Sequence, residues 1–166
     1  MSADFFSRPI VCNTGPLIAL ARAGLARLLP EIFPAVLIPE AVAAELLAKD
    51  TADREQVTAA LAFVKITPLA APMEPLLASE LDSGEAAVIQ LAREQSLSSV
   101  LIDEKKARRI AAIIYQLEVR GTAAVLLEAK KRALIPSVGD ALAAMAAGGY
   151  FIGPQLRAEC LKRAGE

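Results

Sequence analysis

The sequence predicts an α/β fold with three layers, α/β/α, around a mostly parallel central sheet. Three observations carry this. Short apolar runs alternate along the chain with longer stretches of helical periodicity, the order that βαβ units require. The short runs are continuously apolar, as strands buried on both faces of a parallel sheet must be. The length of 166 residues fits one ordinary domain, taken here as 1–166, and no repeat, low-complexity segment or linker divides it.

Each element follows from local signals. Pro9-Ile-Val-Cys12 reads as the first strand, ended by Asn13-Thr-Gly-Pro16, a turn whose proline is placed to open a helix. Leu17–Ala23 continues as helix and stops at Gly24. A second helical piece, Leu25–Phe33, leads to the strand Ala35–Ile38, and Pro39 opens a helix over Glu40–Lys49. Asp53–Phe63 is helical and feeds a strand at Val64–Thr67. The segment Pro68–Pro75 holds three prolines and reads as a loop. Asp82–Gln95, with Ala86, Ile89 and Ala92 in register, is an amphipathic helix. Ser99–Ile102 is a buried strand ending in Asp103. Helix Glu104–Gln116, a strand over Leu117–Arg120 and helix Thr122–Arg132 follow, then helices at Val138–Ala147 and Pro154–Arg163.

Composition narrows the chemistry. The chain is 55% hydrophobic and 22% charged, too apolar to be disordered and rich in the Ala and Leu that favour helices. Eighteen Lys and Arg against nineteen Asp and Glu leave a net charge of -1, which argues against a globally basic nucleic-acid binder but not against a local basic patch. There is no His, so Ser-His-Asp triads, His-paired Cys nucleophiles and His-ligated zinc are excluded. The two cysteines, Cys12 and Cys160, match no metal spacing or disulfide framework, which points to a reducing cytoplasm. Asp4 and Arg8 interrupt what would be a signal-peptide core, and the longest uncharged stretches fall short of the ~20 residues that span a bilayer. The expectation is a cytoplasmic protein with no membrane segment.

In an open parallel sheet, ligands bind beyond the carboxyl ends of the strands. Asn13 and Asp103 sit at such ends, and helical carboxylates at Glu45, Asp82 and Glu85 could join them. Two carboxylates ~4 Å apart repel by about 4 kcal/mol at an effective dielectric of ~20, a cost that a Mg²⁺ or Mn²⁺ removes by taking their oxygens as ligands. Each residue also has an ordinary reading. Asp82-Ser-Gly-Glu85 has the spacing of a capping box, Asp103 can cap the following helix, Asn13 can serve a turn, and Glu45 can be a solvated helix position. Spacing alone leaves both readings open.

The segments Ile10-Val-Cys-Asn-Thr-Gly-Pro-Leu-Ile18, Pro39-Glu-Ala-Val-Ala-Ala-Glu-Leu46, Leu81-Asp-Ser-Gly-Glu-Ala-Ala-Val-Ile89 and Leu101-Ile-Asp-Glu-Lys-Lys-Ala-Arg108, with Gly121-Thr122 and the ending Arg163-Ala-Gly-Glu166, resemble in order and spacing a PIN-like domain from about Ile10 onward. The resemblance implies a Mg²⁺- or Mn²⁺-dependent ribonuclease that leaves a 5′-phosphate and a 3′-hydroxyl, akin to the toxins of toxin–antitoxin pairs. It places the four acidic positions on Asn13, Glu45, Glu85 and Asp103. Asp103 and Glu85 would hold the metal, with Asp82 and Asn13 as further ligands, Glu45 orienting water or a second ion, and Thr122 supporting the site. The family's first position is usually Asp. Asn13 therefore removes one negative charge, and the competing expectation is a degenerate module that binds RNA or a partner protein without cutting.

Lys105, Lys106, Arg108 and Arg109 crowd the first turns of a helix, where the macrodipole disfavours cations by ~0.3–1 kcal/mol each, so a phosphate-gripping role is expected of them. Lys130, Lys131 and Arg132 sit near a helix C-terminus, where the dipole favours them, and need no such role. The Leu-, Ile- and Ala-rich helices over Leu17–Phe33 and Glu40–Leu47 suggest a homodimer, and the resemblance adds capture of an antitoxin peptide. A phospho-receiver or nucleotide-binding domain is disfavoured, because no G-x-x-x-x-G-K-[ST] or G-x-G-x-x-G loop and no adjacent acid pair follows a strand.

Overall fold

A computed structural model describes residues 5–49 and 52–166; Asp4, used above against a signal peptide, lies outside them. The apolar runs form five strands, β1 (Ile10–Cys12), β2 (Val36–Pro39), β3 (Lys65–Thr67), β4 (Ser99–Leu101) and β5 (Glu118–Arg120). They pair in the order β3-β2-β1-β4-β5, every pair parallel. The central strands are fully buried, whereas the edge strands β3 and β5 are half exposed, as the sheet position of each dictates. The architecture is the three-layer α/β/α arrangement with a parallel sheet.

The helices among the described residues are α1 (Thr14–Arg22), α2 (Leu28–Ile32), α3 (Glu40–Ala48), α4 (Arg54–Ala60), α5 (Pro75–Glu80), α6 (Ser83–Glu94), α7 (Lys105–Ile113), α8 (Thr122–Lys131), α9 (Val138–Ala147) and α10 (Pro154–Ala164). Helix α6 lies across β1, β2 and β4. It buries Gly84 and Ala86 through Ala92 without a break, so it is embedded rather than amphipathic. On the other side α1 packs on α3, α4, α8 and α9 and buries seven of its nine residues. The apolar content that suggested a homodimer through this helix is thus spent inside the fold. No described helix is long and apolar enough to cross a membrane.

Four of the boundaries that differ from the sequence reading do so for a local reason. Helix α1 begins at Thr14, so Asn13–Pro16 is not a separate turn; Pro16 lies in the first helical turn, where its missing N–H is not needed. The proline-rich stretch closes not as a loop but in α5, with Pro75 at its first position. Residues 61–63 tighten into a 3₁₀ turn after α4, and α7 stops at Ile113, followed by Gln116 at φ 55°.

Candidate active site

Strand order reverses at β1, with β2 and β3 on one side and β4 and β5 on the other. Loops leaving the carboxyl ends part in opposite directions at such a point and open a crevice. A cleft of about 880 Å³ lies there, lined by Asn13, Glu45, Asp82, Glu85, Asp103 and Glu104 among others. All five of the acidic or amide ligand positions expected from the sequence therefore reach one cleft. Thr122 is buried to 1% exposure and supports it from beneath.

Asp103 follows β4 and is held from the neighbouring strand. The Thr122 backbone N–H donates to its Oδ1 at 2.8 Å and the Thr122 hydroxyl to its Oδ2 at 2.6 Å. Both contacts come from the start of α8, where N–H groups lack helical partners and favour an anion. Gly121 makes the approach possible, because a Cβ there would stand 2.6 Å from Oδ1 and 3.0 Å from the Arg108 guanidinium. Arg108 is fixed by donating to the Ile102 carbonyl at 2.8 Å. Asp103 does not cap α7. Glu104 does so, accepting from the Ala107 N–H at 2.8 Å, and these backbone donors hold its carboxyl below the ordinary range.

On the opposite wall, Glu45 accepts from the Thr14 hydroxyl at 2.6 Å. Its carboxylate reaches the start of α6 because Gly84 has no side chain; a Cβ would meet Oε1 at 2.7 Å. Asp82 caps α6 by accepting from the Glu85 N–H at 2.8 Å, and Glu85 reaches back to the Asp82 N–H. The capping box expected from spacing is real, and it is the reason both carboxylates face the cleft from a helix N-terminus. Burial, together with the charges of Asp82, Glu104 and Glu45, pushes the Glu85 carboxyl above its ordinary value. Asn13 is 7% exposed at the start of α1, where its side chain makes no capping bond.

Three contributors were missed in the sequence. Glu104 is legible as a helix-start acid, but Asp103 beside it offers the same cap from the adjacent position. Thr14, a hydroxyl next to Asn13, gave no signal of its reach to Glu45 on another helix. Tyr150 comes from a loop far along the chain, and its hydroxyl meets Asp103 and Thr122; burial and the Asp103 charge push the phenol well above its ordinary range. Of the four basic residues expected to grip phosphate, Lys105 and Arg108 line the cleft. Lys106 instead pairs with Glu80 at 3.2 Å, and neither it nor Arg109 is part of the lining. The cationic start of α7 is offset by the Glu104 cap. Cys12 and Cys160 are buried with thiols raised by desolvation, which suits structural positions.

The side chains named above as ligands all offer oxygens, while the Cys160 thiol that also borders the cleft is buried; the Glu85 carboxyl is raised by burial and by the like charge around it. By type and charge the residues fit a hard divalent cation. They do not form a closed cage: among the described residues no three Asp, Glu or Cys side chains converge as a ready coordination cluster. Asp103, Glu45 and Glu85 are each engaged by protein donors instead.

A comparison with curated proteins finds no match. The family model described as PIN domain matches residues 9–166, the span that contains every strand and every residue of this cleft. With a parallel sheet, a crevice at its switch point and three acidic segments and one amide delivered to it, the chain belongs to the PIN-domain family, a nuclease-type fold whose members generally use divalent metals.

Proposed function

We propose that the protein is a ribonuclease that uses Mg²⁺ or Mn²⁺ to hydrolyse RNA phosphodiesters. The observation that carries this reading is the gathering of Asp103, Glu85, Asp82, Glu45 and Asn13 around one cleft, with the Glu85 carboxyl raised by burial and by its neighbours' charge. Asp103 and Glu85 would hold the cation, with Asp82 and Asn13 completing the oxygen set. When bound, such an ion supplies Lewis acidity and an activated water. The chain's own part is then positional. Thr122 and Gly121 fix the Asp103 carboxylate, Thr14 fixes Glu45 where it can orient water, and Lys105 and Arg108 offer cations to the strand's phosphates.

A second reading rests on Asn13. With one carboxylate fewer, the cleft would bind RNA or a partner without cutting it. The toxin role in a toxin–antitoxin pair, with an antitoxin segment in the cleft, belongs to the first reading. So does a homodimer, for which the exposed Ile113 and Ile114 on and after α7 offer an apolar surface that native mass measurement would test.

The deciding experiment incubates a panel of single-stranded oligoribonucleotides with protein and Mn²⁺, using wild type, Asp103→Asn and Asn13→Asp. The proposal expects cleavage by wild type that Asp103→Asn abolishes. An intact panel with wild type and cleavage appearing only in Asn13→Asp would select the binding module.

A further inference from the structure

Phe151 is 77% exposed, more than any other large apolar side chain among the described residues. It lines the candidate cleft, whose walls carry as many Lys and Arg as Asp and Glu. An aromatic ring left in water forfeits the burial that stabilises Phe elsewhere, so fold stability does not account for its position. The chain is led there deliberately. After α9, Gly149 takes a left-handed φ of 90°, which a Cβ would disfavour. The next residue, Tyr150, also lines the cleft; its N–H donates to the Met145 carbonyl at 2.9 Å, and its side chain lies near Asp103 and Thr122. Phe151 is therefore one residue, about 3.8 Å of backbone, from a side chain beside the candidate reaction centre. Lys49, Lys105 and Arg163 line the same cleft and make no ion pair among the described residues.

Resting on the ribonuclease reading, we infer that Phe151 is a stacking platform for a nucleobase of single-stranded RNA, beside the phosphate bound at the candidate cleft. The ring offers a π-face, and the unpaired cations of the same cleft meet the negative backbone. Single strands are held by this combination, and an aromatic ring accepts any base because every base has a π-face. Phe151 thereby sets a requirement for an unpaired base next to the scissile position, since a base inside a duplex cannot reach it.

The chain has no Trp, so Phe151→Trp introduces a single reporter at the site. The probes are a labelled 12-mer oligouridylate and an abasic ribose-phosphate 12-mer, titrated in Ca²⁺ against wild type, Phe151→Ala and Phe151→Trp. Stacking predicts that Phe151→Ala weakens oligouridylate binding by about 5- to 100-fold, that Phe151→Trp binds as wild type does, and that its emission is quenched at saturation. The abasic strand should bind wild type and Phe151→Ala alike and leave the Trp emission unchanged. Wild-type binding matched by Phe151→Ala, or unquenched Trp emission, overturns the stacking role and leaves the ribonuclease reading standing. Failure of wild type to bind the 12-mer overturns both.

Discussion

Thr122 shows how little of the site's precision resides in the acids themselves. Its N–H and hydroxyl occupy both oxygens of Asp103, so Thr122→Val keeps the N–H contact and the volume but frees Oδ2. Loss of an orienting partner of this kind costs about 10- to 100-fold in metal affinity or activity, measurable as a rightward shift of the Mn²⁺ activation curve. Gly121→Ala should cost at least as much, because its methyl group would strike Asp103 and Arg108. Glu85 gives a prediction of opposite sense. Its carboxyl is raised in the fold, so the charged form destabilises the native state above the folded pKa, and the penalty fades as pH falls through that pKa toward the unfolded value of 4.5. Glu85→Gln retains the capping geometry and should raise the melting temperature at neutral pH without metal, with the gain shrinking on acidification.

At the scale of elements, the cap of α6 ties stability to the site. Asp82→Ala should cost about 1 kcal/mol by urea unfolding and also release Glu85 from the cleft wall. This box was readable in the sequence because it is local: both partners lie within one turn. The strands were readable for a similar reason, since β1, β2 and β4 are buried on both faces and leave unbroken apolar runs. The embedding of α6 was not, because the pattern of Ala86, Ile89 and Ala92 does not reveal that α3, α5 and α7 pack against the helix as well as the sheet. The start of α1 was displaced because Pro16 is equally at home at the first or third helical position. Asp103 and Glu104 compete for one cap from adjacent positions, and only the Thr122 contacts from another strand's end decide between them.

For the whole molecule, the far end of the chain is tied back to the layer that supports the cleft. The Glu166 side chain accepts from the Val138 and Gly139 N–H groups and from the Ser137 hydroxyl at the start of α9, and pairs with Lys130 on α8. These donors hold its carboxyl down to about 2, against an ordinary 4.5. The stability it contributes is present above pH 4.5 and is lost as pH falls toward 2. Glu166→Gln should therefore melt below wild type at pH 7, with the two curves converging in acid. Tyr150 is the long-range residue that no local pattern marked; it comes near Asp103 only because the chain returns to the cleft after α9. The claim on which the whole account turns is that oxygens from β1, α3, α6 and β4 make one cation site. Thermal unfolding with and without Mn²⁺, on wild type and Asp103→Asn, tests it most directly. For a dissociation constant of ~1 mM, about 10 mM Mn²⁺ should stabilise wild type by ~1.4 kcal/mol, a shift of roughly 3–6 °C, and should leave Asp103→Asn unmoved. An equal shift in both proteins, or none in wild type, would contradict it.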